Sequence, residues 1–182
     1  MKKVIKILRK IARELLLKWR QEDRYFIERR IFPKIKHKKV LLVGVANYTE
    51  NYPFRLRKNS LWSIDIDPSV AKYGAKNHIV GNIKDIDSFF NKDFFDIILM
   101  FGVFGYGLND PKEADKTLKN CAKVLNKKGQ LFIQWSDMPG HNQVNPQELD
   151  NYKLFKDSVF YGFKSPFRVK KKTKVFHFLV KN

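Results

Sequence analysis

The stretch from Lys38 to Asp67, KKVLLVGVANYTENYPFRLRKNSLWSIDID, constrains this chain more than any other, because it reads as strand, tight loop, short helix and second strand. Val40 to Val43 form an apolar run too brief for a helix, and Gly44 follows where the chain has to turn sharply. Leu61 to Ile64 form the next strand, with Asp65 at its carboxyl end. A carboxylate there, about 20 residues beyond the glycine, can accept both hydrogen bonds from a ribose diol. In an open α/β sheet this is where a nucleoside-containing cofactor is held.

The rest of the chain alternates in the same manner. Strands are expected at 39–44, 61–65, 77–80, 94–101 and 129–136, with helices near 50–57, 68–76, 83–90 and 110–126. The last helix is the best marked, with Asp110 to cap it, Pro111 at its first position and Glu113 completing a capping box. Its Leu118, Cys121, Ala122 and Leu125 share one face, which makes Cys121 a core residue rather than a nucleophile. Ser158 to Phe163 and Lys174 to Val180 read as a terminal antiparallel hairpin that closes the sheet's edge. The expected division is an N-terminal helical extension over 1–37 and one α/β domain over 38–182.

Composition excludes several classes. One cysteine permits neither an internal disulfide nor a cysteine metal cluster, and His37, His78 and His177 show no metal-ligand spacing, so no metal is expected. The longest apolar run, Ile97 to Leu108, is broken by glycines and suits a buried strand rather than a membrane span. Charges at Arg9, Lys10, Arg13 and Glu14 interrupt any secretory signal, so the expected location is the cytoplasm. The formal net charge of +19 calls for an anionic partner, a membrane surface or RNA, unless the lysines merely coat solvated faces such as Lys112, Lys116, Lys119 and Lys123. Residues 1 to about 30 read as a basic amphipathic helix striped by Val4, Leu8, Ile11, Leu15 and Trp19. Such a helix either lies on an anionic membrane, here the inner surface, or packs on its own domain.

With those elements in place, the sequence resembles the class I S-adenosylmethionine-dependent methyltransferases over roughly residues 39 to 182. VLLVGVANYT is similar to the loop that passes beneath the methionine part of the cofactor, which implies Gly44, Val45, Ala46 and Asn47. LWSIDIDPSVAKYGA resembles the second strand with its ribose-binding acid, implying Asp65 and Ile66, whereas Asp67 before Pro68 suits a helix cap. HIVGNIKDI resembles the third strand and its adenine-contacting turn, with Asn82 at the usual acid position and Ile83 against the ring. FFDIILMFGVFGYGL resembles the fourth strand and the motif beside the reacting methyl, implying Phe101 and Gly102, and LNKKGQLFIQW resembles the approach to the fifth strand. The chain departs from the family at Leu42, where an acid is usual, and at Ala46 and Tyr48, where glycines are usual. Ala46 is small and Asn47 tolerates a left-handed backbone, so the loop can still turn.

The resemblance implies a mostly parallel Rossmann-like methyltransferase sheet, S-adenosylmethionine as cofactor, and methyl transfer to a small-molecule, sugar or lipid-linked acceptor. Phe101 to Phe104 would line the transfer site, and Tyr106 and His141 lie on loops near strand ends. The Asn/Asp-Pro-Pro-aromatic motif of base amino-methyltransferases is absent, its place taken by MFGVFGYG. Two other readings stay open: an RNA-directed methyltransferase using the N-terminal helix and the Arg168 to Lys174 turn, and a non-catalytic binding module of the same fold.

Overall fold

The computed structural model describes residues 22–138, 140, 142–169 and 173–182. The expected amphipathic stripe from Val4 to Trp19 and the loop residue His141 lie outside these. Five strands run parallel: β1 (Lys39–Val43), β2 (Ser60–Asp65), β3 (Asn77–Val80), β4 (Phe95–Phe101) and β5 (Leu125–Ser136). Five shorter or antiparallel strands follow: β6 (Phe155–Asp157), β7 (Val159–Phe160), β8 (Phe163–Lys164), β9 (Phe167–Arg168) and β10 (Lys174–Lys181). The main sheet has the order β3-β2-β1-β4-β5-β10-β6, with β9 also paired to β10.

The final strand is antiparallel as expected, but its partners are β5 and β6, not the 158–163 stretch. That stretch folds back on itself as the β7–β8 ribbon. Tyr161 and Gly162 both take positive φ, 47° and 88°, which is the tight two-residue turn that right-twisted strands favour. A turn signal inside an apparently continuous strand was therefore missed.

Helices cover both faces of the sheet, so the β1 side chains from Val40 to Val43 are buried in turn, Leu41 and Val43 in one core and Val40 and Leu42 in the other. The helices are α1 (Glu22–Phe26), α2 (Tyr52–Arg55), α3 (Ile86–Phe89) and α4 (Pro111–Val124). Asp110 caps α4 by accepting the Glu113 N–H at 2.8 Å, and Ala114, Leu118, Cys121 and Ala122 enter the first core. The second core is built largely from the stretch after α1, where Ile27–Ile31 forms a π-helical turn: Phe26, Ile27, Ile31, Phe32 and Ile35 pack there with Leu56. Glu28 is buried in that stretch and pairs with Arg55 at 2.6 Å.

One polar chain runs from the core outward to the surface through β5, β10 and β6. The Trp135 indole N–H donates to His177 Nε2 at 3.0 Å, and Tyr152 Oη lies 3.1 Å from His177 Nδ1. Tyr152 in turn donates to Asp157 at 3.0 Å. Because an indole can only donate, Nε2 must be the unprotonated nitrogen and Nδ1 carries the proton toward Tyr152. Burial holds the His177 imidazole down at a pKa of about 4 from its ordinary 6.5; Asp157 opposes that and Arg168 adds to it.

Candidate cofactor cleft

The strand order reverses between β1 and β4, and a cleft of about 270 Å³ opens there at the carboxyl ends of the strands. Val43, Gly44 and Val45 follow from β1, Ile64 to Ile66 from β2, Gly81 to Ile83 from β3, and Phe101 to Val103 from β4. Tyr48, Thr49, Tyr106 and Gly107 complete the wall. The volume is close to the lower end of the small-molecule range, about 300–1,000 Å³.

The turn after β1 depends on Gly44, whose φ of +79° is one that side-chain-bearing residues rarely adopt. Its N–H donates to the Ile64 carbonyl at 3.0 Å, tying the loop to β2. The next N–H, from Val45, donates to Asp65 Oδ2 at 2.8 Å, while Asp67 N–H donates to Asp65 Oδ1 at 3.0 Å. Each carboxylate oxygen has two acceptor positions, so both retain one for a ligand in the cleft. Asp67 is turned to a separate task. It accepts from the Ser69 hydroxyl and backbone N–H, which together hold its carboxyl below the usual range, and it takes no part in the cleft wall.

Asn82 occupies the end of β3 and accepts the Lys84 N–H at 3.0 Å through Oδ1, leaving its amide NH2 as a donor. Beside it, Ile83 is a buried apolar surface. On the opposite wall Gly102, with φ +72°, donates to the Gln134 carbonyl at 2.9 Å. The Val103 carbonyl then accepts N–H groups from Tyr106, Gly107 and Leu108, which curls this loop over the cleft.

Eight of the ten residues singled out in the sequence therefore share one cleft: Gly44, Val45, Asp65, Ile66, Asn82, Ile83, Phe101 and Gly102. Ala46 and Asn47 are not on its wall. Ala46 is extended, with φ −159°, and its N–H goes to Thr49 Oγ1, while Asn47 opens a 3-10 turn rather than taking a left-handed conformation. That turn brings Tyr48 and Thr49 to the wall in their place, a swap that no periodicity announces. Phe104 is also displaced from its expected position, being fully buried in the first core. Leu42, at the family's acidic position, is buried in the second core at 1% exposure. The Tyr48 ring is covered in turn by the Arg24 guanidinium at 4.3 Å, so α1 buttresses the loop that walls the cleft.

Among the described residues the wall carries one carboxylate and no lysine or arginine, although the chain has a net charge of +19. Among the described residues no group of three or more His, Cys, Asp or Glu could hold a metal ion, and no helix is long and apolar enough to cross a membrane. An acid with spare acceptor capacity, an amide donor beside a buried aliphatic surface and a left-handed glycine turn fit an adenosyl group. An open α/β sheet with such a cleft at its switch point defines the Rossmann-like nucleoside-cofactor class.

A family model for the methyltransferase domain matches residues 42–133, and the chain belongs to that family. Its fold is shared with the N-methyltransferase NodS from Bradyrhizobium japonicum, at a TM-score of 0.65 and 15% identity over 88% of this chain and 96% of that one. It is also similar to a TehB-like SAM-dependent methyltransferase from Corynebacterium glutamicum, at a TM-score of 0.61 and 17% identity over 94% and 99% of the two chains. A SAM-dependent methyltransferase from Archaeoglobus fulgidus gives a TM-score of 0.61 at 13% identity over 92% and 98%. An uncharacterised protein of Rickettsia prowazekii is 27% identical over 129 residues, 62% of this chain. The chain spans about half the length of that curated relative, 48%. The chain is thus a member of the methyltransferase-domain family with the fold that these SAM-dependent methyltransferases share.

Proposed function

We propose that the chain transfers the methyl group of S-adenosylmethionine to an uncharged small-molecule, sugar or lipid-linked acceptor. The observation that carries the acceptor class is the wall of the cleft, apolar and aromatic at Phe101, Val103 and Tyr106 and, among the described residues, lined by no lysine or arginine; Lys174, whose ammonium stands 5.6 Å over the Tyr106 ring, donates to the Ser136 hydroxyl. Phosphate groups of a nucleic acid or nucleotide acceptor would need lysine or arginine there.

S-adenosylmethionine supplies an electrophilic methyl group on a sulfonium. Asp65 would accept from the ribose hydroxyls with its two spare positions, the Asn82 amide would donate to the adenine edge, and Ile83 would lie against the ring. Gly44 and Val45 would allow close approach of the methionine part. Phe101 and Gly102 would border the methyl, leaving Val103 and Tyr106 to receive the acceptor. Among the described residues no histidine or lysine base lines this wall. Catalysis would therefore consist of alignment and exclusion of water, with the acceptor's own nucleophilicity completing the reaction.

Calorimetric titration with S-adenosylmethionine and S-adenosylhomocysteine, with NAD as control, tests the cofactor half. Micromolar binding of the first two alone is expected, weakened at least tenfold in a folded Asp65→Ala variant. No binding by the folded wild type would instead support a non-catalytic module. Transfer from methyl-labelled cofactor into a metabolite and glycan extract tests the acceptor half. Label entering RNA alone would refute the uncharged-acceptor reading.

A further inference from the structure

The positive charge missing from the cleft is gathered at the other end of the sheet. Lys34, Lys36, Lys38, Arg57 and Lys58 are all exposed there, on two segments that lead into the amino ends of β1 and β2. The segments are stapled together. His37 N–H donates to the Lys58 carbonyl at 3.0 Å and Lys38 N–H to Asn59 Oδ1 at 3.1 Å, while the Asn59 amide donates to the Ile35 carbonyl at 3.0 Å. Five like charges are thus held side by side on rigid backbone.

Some lysines elsewhere are neutralised locally, while others, such as Lys112 and Lys119, have no ion pair among the described residues; what sets the five apart is that they adjoin one another. Around α4, Lys84, Lys116 and Lys123 each meet a carboxylate: Glu113, Asp85 and Asp87. Among the described residues none of the five has an ion pair; of the acids nearby, Glu28 is buried and committed to Arg55, and Asp96 accepts the Lys39 N–H and the Asn126 amide. A balanced face needs no partner. This one repels itself until an anionic partner neutralises it.

Exposed apolar side chains stand among these cations. Phe54 is 66% exposed with the Arg57 guanidinium 4.2 Å over its ring, and Tyr161 is 63% exposed with Lys34 Nζ at 5.0 Å. Val159, 61% exposed, lies on the same ribbon as Tyr161. A groove of about 280 Å³ runs between Phe54 and Lys36, with Phe32 and Ile35 at its floor. Aromatic rings beside long cationic stems suit a bilayer interface, where the rings enter the headgroup layer and the charges reach the lipid phosphates. A single-stranded nucleic acid would want a row of ring faces for stacking, whereas here each of two rings gives one face to a cation and the third exposed apolar side chain, Val159, offers no stacking surface but suits the headgroup layer. Residues 1–21, which precede this part of the chain in sequence, add eight Lys or Arg against one Glu.

We propose that this face, Lys34 to Lys38 with Phe54 to Lys58 and the Tyr161 tip, docks the protein peripherally on an anionic lipid bilayer. The cleft lies across the length of β1 and β2, on the order of 15 Å away at about 3.3 Å per residue. Docking therefore leaves the cleft open to solvent.

Vesicle co-sedimentation of the full chain tests this, using 30% phosphatidylglycerol in phosphatidylcholine against phosphatidylcholine alone. Binding to the anionic vesicles that weakens with salt is expected, with little on the neutral ones. Each cation at such a surface is worth roughly fivefold in partitioning, so Lys36→Gln/Arg57→Gln/Lys58→Gln should lose on the order of 100-fold. Lys36→Gln/Lys58→Gln removes no hydrogen bond or ring contact and should lose roughly 25-fold; thermal melting and cofactor titration confirm that both variants fold. Unchanged vesicle binding by both variants would overturn the proposal, since another surface would then carry the contact. Loss of binding to an RNA oligomer, with no vesicle binding by wild type, would overturn it in favour of nucleic acid.

Discussion

The buried His177 makes stability depend on pH in a window that most carboxylates do not share. Its folded pKa is depressed, about 4 against 6.5 in the unfolded chain, so the unfolded state takes up the proton first as pH falls. The stability is fully present above 6.5 and is lost progressively down to about 4. For these two values the loss between pH 7 and pH 5 is about 2 kcal/mol, and the total at lower pH is about 3 kcal/mol. The structure supplies the cause. Protonation would place an N–H on Nε2 directly against the Trp135 N–H, two donors 3.0 Å apart inside the core. His177→Gln can keep the same pattern without titrating, its carbonyl accepting from Trp135 and its amide donating to Tyr152. Urea unfolding of both proteins at pH 7, 6, 5.5 and 5 should show the wild type losing about 2 kcal/mol more than the variant over that range. His78, whose pKa burial also lowers, contributes equally to both proteins and cancels in the difference. Parallel curves for wild type and variant would refute the buried neutral imidazole.

Gly44→Ala should lower stability by about 1–2 kcal/mol through its positive φ alone, since a Cβ would meet only Val103 Cγ2 at an ordinary 3.7 Å. Gly107→Ala, where a Cβ meets nothing within 4 Å, should change melting by under about 0.5 kcal/mol, and equal losses at the two positions would sink the backbone argument. Burial pushes the Cys121 thiol up to about 12, so at pH 8 the native chain should resist a thiol reagent that labels it at once in denaturant. Labelling at the rate of a free thiol without denaturant would show that α4 does not seal the core.

Much of the site was legible because its signals are local. Gly44 and Asp65 are each placed by one strand and the residue that ends it, and Asn82 by the turn after β3, so reading the strands correctly brought them to one edge. Tyr48 and Thr49 were not legible, because a three-residue turn has no period and only its closure by Thr49 Oγ1 decides which side chains face inward. Phe104 shows the reverse error. An aromatic residue beside a ligand loop looks the same in sequence as one folded back into the core, and the bonds to the Val103 carbonyl decided between them.

The sequence by itself determined the parallel sheet, the capped α4, the acid at the end of β2 and the family to which they belong. Each of these rests on propensity, alternation or capping within a few residues. Only the tertiary structure decided that β10 pairs with β5 and β6, that Glu28 and His177 are buried among polar partners, and that five cations with no ion pair among the described residues collect at the amino end of the sheet. Those outcomes depend on which distant segments meet, and a net charge of +19 carries no address until the backbone assigns each lysine a neighbour.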